Sequence, residues 1–149
     1  MALDGLHHLV LRVPDLADAE AFYRELFDLE VLFREGETET GEYGALPDDL
    51  DWAGATGRGV EPGMSFLGRD DFALALMEAD GDANADRLDH VGLALDADDR
   101  DAVRDRATDF GCEYEEKGDA LFVTDRYGVE WELNASSPPP ETPFETLDV

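Results

Sequence analysis

Basic residues, cysteine and long apolar runs are all scarce in this chain of 149 residues. Cys112 is the single cysteine, which excludes an intramolecular disulfide and any multi-cysteine zinc site. Eleven Lys and Arg residues stand against 38 Asp and Glu, a formal net charge of −27, and Lys117 is the one lysine among them. The basic footprint that DNA or RNA binding requires is therefore missing, and nucleic acid is not an expected partner. No stretch approaches the roughly 18 consecutive apolar residues of a membrane span, so no membrane association is expected either. The opening MALDGLHHLVLRV has no basic n-region and runs straight into a strand-like pattern. It does not read as a signal peptide, and the expectation is a cytoplasmic protein.

What the chain does have is enough apolar residue, 43%, to bury an interior despite its charge. The acids are scattered, as in DDLD, RDDF, DADDRD and YEE, rather than massed in one tail. Such a charge repels itself within a compact fold unless counterions screen it. Near-absence of lysine and dispersed carboxylates fit a surface adapted to concentrated salt. The competing reading is a cation store or a nucleic-acid mimic, although scattered charge is ordinarily a solvated face.

Periodicity organises the chain into two similar halves. In His8–Val13, Leu9, Leu11 and Val13 alternate with His8, Val10 and Arg12, the pattern of a strand. Pro14 and Asp15 end it, and Asp15 suits a helix N-cap for DLADAEAFYRELF, whose Ala19, Phe22, Tyr23 and Leu26 recur at helical spacing. Leu29–Arg34, Met64–Leu67 and Phe72–Glu78 read as strands, the last two joined by a turn at 68–71. Residues 35–63 read as a long Gly-rich acidic loop with a short helix near DDLDWAG. After a polar linker at 80–86 the pattern restarts: LDHVGLAL echoes LHHLVLRV, and an acidic helix follows, closed by Gly111. Cys112–Glu116, Ala120–Thr124 and Val129–Asn134 read as three more strands. The expected fold is α+β, two βαβββ modules in tandem within one domain, module one at 4–79 and module two at 87–135. Residues 136–149 form a Pro-rich tail.

Two of the three histidines occupy the same place in the two modules. His8 and His90 each open a first strand, on the face opposite the helix. A lone histidine there would be an ordinary strand-end residue; the repetition favours a shared ligand role. His7 falls on the other face by alternation, and its counterpart is Asp89. On the last strand Val129, Trp131 and Leu133 face the helix, so Glu130 and Glu132 face away. Glu130 lies near the strand start and reads as solvated, whereas Glu132, deeper in, needs a partner such as a metal. His8, His90 and Glu132 would hold one divalent ion (Fe2+, Mn2+ or Zn2+) with positions left open for a small-molecule substrate.

The segments HLVLRVPDLADAEAFYRELFDLEV, DHVGLAL and LFVTDRYGVEWEL resemble, in order and spacing, the vicinal-oxygen-chelate superfamily of glyoxalases, bleomycin-resistance proteins and ring-cleaving dioxygenases. The resemblance covers roughly residues 5–135. It implies paired βαβββ modules curving round a metal cup, and it carries the ligand role to His8, His90 and Glu132. It also implies a homodimer, in some members with ligands for one metal drawn from both chains. Glyoxalase-like enzymes bring a further carboxylate from the last strand of module one, where this chain has Ala75, and Glu78 falls on the opposite face. Fosfomycin-modifying relatives surround their anion with basic residues, yet none follows Arg126 here. The remaining His-His-Glu set matches extradiol dioxygenases, although those carry a tyrosine ten residues before the glutamate, where Phe122 stands. By alternation the cup is lined by Val10, Arg12, Ala73, Ala75, Met77, Gly92, Ala94, Phe122 and Thr124. Arg12, Ala75, Met77, Phe122 and Thr124 are the candidate substrate contacts, Arg12 being equally suited to pairing with one of the many acids. The expected function is a metal-dependent enzyme on a small oxygenated compound, with extradiol ring cleavage the best named activity. The competing readings are a ligand-sequestering protein of the bleomycin-resistance type and a glyoxalase-like lyase or isomerase.

Overall fold

The computed structural model describes residues 6–79, 88 and 90–135, and the chain divides into two compact units, residues 1–85 and 86–149. The Pro-rich tail and the 80–86 linker lie outside the described residues.

In the first unit, β1 (Leu9–Val13) leads into α1 (Leu16–Phe27), then β2 (Glu30–Glu37), β3 (Tyr43–Ala45), α2 (Trp52–Thr56), β4 (Glu61–Arg69) and β5 (Phe72–Glu78). Asp15 caps α1, its carboxylate accepting from the Asp18 N–H at 2.9 Å. Glu78 accepts from the Leu16 N–H at 3.0 Å, a negative charge at the positive end of the helix. The sheet runs in the order β1-β5-β4-β2-β3, with first and last long strands paired in parallel. Leu11, Val13, Leu74 and Leu76 are buried on the face that α1 covers with Leu16, Ala19, Phe22, Tyr23 and Leu26. Within that core a polar network is fully partnered. Glu20 receives the Arg34 guanidinium and the Ser65 hydroxyl, and Ser65 accepts from Trp52 Nε1 at 2.8 Å.

The second unit repeats the plan without the insertion: β6 (Val91–Ala94), α3 (Ala97–Asp109), β7 (Glu113–Lys117), β8 (Ala120–Thr124) and β9 (Glu130–Asn134). Its sheet order, β6-β9-β8-β7, again pairs first and last strands in parallel. Asp96 caps α3 by accepting from the Asp99 N–H, and Gly111 follows the helix at φ +75°, a conformation that favours glycine. Trp131, Leu133, Leu121 and Val123 are buried on the helix side with Val103 and Ala107.

The segment 35–63, expected to be a long loop with a short helix near DDLDWAG, holds that helix as α2 and is in part drawn into the first sheet. β2 extends to Glu37, β3 pairs with it as an added edge strand, and β4 begins at Glu61. Backbone pairing carries this part, since β3 buries no side chain. At Gly36 a Cβ would meet Val60 Cγ1 at 2.6 Å and the Glu61 carbonyl at 2.8 Å, so the close crossing requires glycine. The turn expected over 68–71 is tighter: β4 runs to Arg69, and Asp70 takes φ 52°.

Candidate functional site

In the second unit, β9 alternates between a buried face, Trp131 and Leu133, and an open face carrying Glu130, Glu132 and Asn134. The β8–β9 turn sets the register. The Asp125 carboxylate, 5% exposed, accepts from the N–H groups of Tyr127 and Val129 and from Trp131 Nε1. That turn puts Phe122 directly opposite Glu132 and Thr124 opposite Glu130, while Gly92 of β6 flanks Glu132 on its other side. The sequence reading does not single out Asp125; its buried role shows in the donors that return to it from 127, 129 and 131.

His90 stands just before β6, and its Nε2 lies 3.1 Å from Glu132 Oε2. The two side chains are 36% and 18% exposed, so the pair is partly shielded yet reachable. Phe122 holds the imidazole edge-on, ring centroids 6.1 Å apart. The spacing suits a charge-assisted hydrogen bond. It also suits joint ligation, because two donors at right angles on bonds of about 2.1 Å lie about 3.0 Å apart. The donor set, one imidazole and one carboxylate, fits a divalent ion.

Beside the pair lies a groove of about 520 Å³ lined by Cys112, Glu113, Tyr114, Glu115, Phe122, Thr124 and Glu130. Its wall is acidic. Lys117 is a cation near it, 5.1 Å above the Phe122 ring, and pairs with Glu115 at 3.7 Å. Burial pushes the Cys112 thiol up, Asp125 adds to the shift, and Arg126 opposes it.

The first unit carries the same arrangement in altered form. His8 stands just before β1 as His90 does before β6, and Phe66 of β4 contacts its ring at 6.0 Å. Ala75 pairs with Val10 and Phe66, as Glu132 pairs with Gly92 and Phe122. The registers therefore make Ala75 the counterpart of Glu132, and Phe66 the counterpart of Phe122. Ala75 has no accessible surface. Arg12 is exposed and pairs with Met77 on the same face. Phe33 stacks on Phe66 at 4.4 Å, 39% exposed. Phe66 and Met64 were missed as open-face residues, although Met64-Ser65-Phe66-Leu67 alternates clearly enough to have marked them.

One expectation is corrected. Alternation sends His7 away from His8, but its Nδ1 lies 2.7 Å from His8 Nδ1. The strand begins only at Leu9, so pleating does not govern residues 7 and 8. The structure brings His90 and Glu132 together in one unit and leaves His8 beside His7 and Phe66 in the other. Among the described residues, no three or more His, Cys, Asp or Glu side chains converge within a unit to hold a metal. No helix among them is long and apolar enough to cross a membrane.

A family model described as the Glyoxalase/Bleomycin resistance protein/Dioxygenase superfamily matches residues 5–144. No curated protein matches the sequence. Similar solved structures include the fosfomycin resistance protein FosX from Listeria monocytogenes, at 20% identity and TM-score 0.63, covering 91% of this chain and 94% of that one. FosX from Mesorhizobium loti is similar at 19% identity and TM-score 0.58, over 91% and 94% of the two chains. A glyoxylase/bleomycin resistance protein/dioxygenase domain from Frankia sp. EAN1pec is similar at 19% identity and TM-score 0.60, over 89% and 98%.

Proposed function

The chain belongs to the glyoxalase/bleomycin resistance protein/dioxygenase superfamily, and from that premise we propose a divalent-metal-dependent enzyme acting on a small oxygenated substrate, with extradiol ring cleavage as its reaction. The observation that carries the reading is the His90–Glu132 pair, donor atoms 3.1 Å apart on the open face of β9. His8 is the proposed third ligand, from the same chain or from a second copy in a homodimer. Its support is the repeat: same offset before a first strand, same phenylalanine against the ring. FosX from Listeria monocytogenes has been crystallised with Mn(II) and sulfate, which supports a divalent ion for this fold.

Two features favour ring cleavage over the other chemistries of the superfamily. Ala75 stands where a second carboxylate would sit, so three protein donors would leave up to three positions on an octahedral ion for a chelating substrate and a co-substrate. The groove beside Glu132 carries Glu113, Glu115 and Glu130, which would repel a phosphonate such as the dihydroxypropylphosphonic acid bound by a FosX variant. A neutral or phenolic ring suits that groove better, stacking on Phe122 with Thr124 as hydrogen-bond partner. Arg12 and Met77 are proposed as further substrate contacts. When bound, the ion would supply Lewis acidity and, for iron, a site for dioxygen. His90 and Glu132 would hold and orient it, and Phe122 would fix the His90 ring and exclude water. Phe122 also favours a second reading. With no hydroxyl beside Glu132 to move a proton, the same cup could sequester a ligand without converting it.

The test is elemental analysis of protein purified without chelator or affinity tag, followed by oxygen uptake with catechol-type compounds. About one Fe or Mn per chain, lost in His8→Ala, His90→Ala and Glu132→Ala, is expected. Full metal stoichiometry in Glu132→Ala would overturn the site, and metal with no oxygen uptake would favour sequestration.

A further inference from the structure

The His7–His8 contact is unused by the reading above, and it bears on how one ligand is prepared. Two imidazole nitrogens, His7 Nδ1 and His8 Nδ1, stand 2.7 Å apart with the rings edge to face at 73°. Between neutral rings, one of these nitrogens must carry the hydrogen and the other accept it. If His7 donates, the His8 proton sits on Nε2, which then has no lone pair for a metal. If His8 donates, its Nε2 is free.

The second unit indicates the direction. His90 turns Nε2 toward Glu132, so the working nitrogen of the repeated histidine is Nε2. His8 has the same ring seat, against Phe66 at 6.0 Å where His90 lies 6.1 Å from Phe122. We propose that His7 is a positioning residue: it accepts from His8 Nδ1–H, holds His8 in the Nδ1-protonated tautomer, and so presents Nε2 as a ligand. The inference rests on the metal reading above, but it makes a claim that is measurable without metal. Which ring nitrogen of a histidine ligates is set by the hydrogen bond that the other one makes, and removing such a partner typically weakens metal binding about 10- to 100-fold. His7 and His8 are both exposed, so water competes and the lower end, about tenfold, is expected. The sequence places a residue able to accept from an imidazole N–H at the same offset in both modules, His7 before His8 and Asp89 before His90.

The decisive experiment is nitrogen-15 NMR of the metal-free full chain, at a pH where imidazoles are neutral, combined with Mn(II) titration. With three histidines in the chain, single substitutions assign every ring. His8 should be predominantly Nδ1-protonated in the native protein and should relax toward Nε2–H in His7→Ala. His7→Asn keeps an amide oxygen near the lost Nδ1 and should restore the native tautomer. Mn(II) affinity should fall about tenfold in His7→Ala and recover in His7→Asn. A native His8 that is Nε2-protonated, or a tautomer indifferent to His7→Ala, overturns the proposal while leaving the metal site standing. Mn(II) affinity unchanged in His8→Ala overturns the metal reading, and with it the purpose given to His7.

Discussion

Replacing Asp125 by alanine should damage both the fold of the second unit and its candidate site. The carboxylate takes the Tyr127 N–H at 2.8 Å, the Val129 N–H at 3.0 Å and Trp131 Nε1–H at 2.8 Å. Val129 and Trp131 are buried, so alanine strands two donors away from water, whereas the half-buried Tyr127 N–H is within reach of solvent. Each stranded donor costs about 1–3 kcal/mol, giving a loss of about 2–6 kcal/mol. Asp125→Asn keeps one oxygen for the turn but faces an NH2 toward a donor, and should lose about 1–3 kcal/mol. Because the same turn aligns Phe122 with Glu132, metal affinity should drop in step with stability. The chain has two tryptophans, Trp52 in one unit and Trp131 in the other. In a Trp52→Phe background, urea unfolding followed by fluorescence therefore reports the second unit alone. An alanine variant within about 1 kcal/mol of its parent, or an Asn variant no better than Ala, would refute the claim that these three bonds hold the turn.

Ala75→Glu puts a carboxylate at a fully buried position, so the metal-free protein should lose about 2–4 kcal/mol. Mn(II) should bind more tightly and raise the melting temperature by more than in the parent, and unchanged Mn(II) affinity would remove the basis for equating Ala75 with Glu132. If the net charge of −27 reflects adaptation to salt, melting temperature should climb steeply from about 0.01 M to about 1 M KCl, as the Debye length shrinks from about 30 to about 3 Å. A flat salt dependence would defeat that reading. Burial raises the Cys112 pKa above the ordinary thiol value of 9.0, with Asp125 adding to the shift and Arg126 opposing it. Folding thus favours the protonated thiol, and the associated stability, present below the unfolded pKa, should fade as pH rises through the folded one. Alkylation by iodoacetamide should titrate with a midpoint above 9.0, higher still in Arg126→Ala; a midpoint at or below the ordinary value would contradict the assignment.

Sequence alone determined the elements whose side chains alternate or recur against a core. The alternation of Leu9, Leu11 and Val13, the helical spacing of Ala19, Phe22, Tyr23 and Leu26, and the echo of LHHLVLRV in LDHVGLAL are local signals. They were enough for two βαβββ repeats and for placing Glu132 on the open face, because period and face are properties of neighbouring residues. Tertiary structure alone decided what depends on partners far along the chain. Strand β3 has no buried side chain to announce it and exists by pairing with β2. Glu20 is buried because Arg34 and Ser65, 14 and 45 residues away, fold back onto it, which no local pattern announces. The same holds at the site. The alignment of Phe122 with Glu132, and the seating of Phe66 against His8, come from registers between strands. The approach of His7 to His8 arises because the strand starts only at Leu9, too late for alternation to separate them.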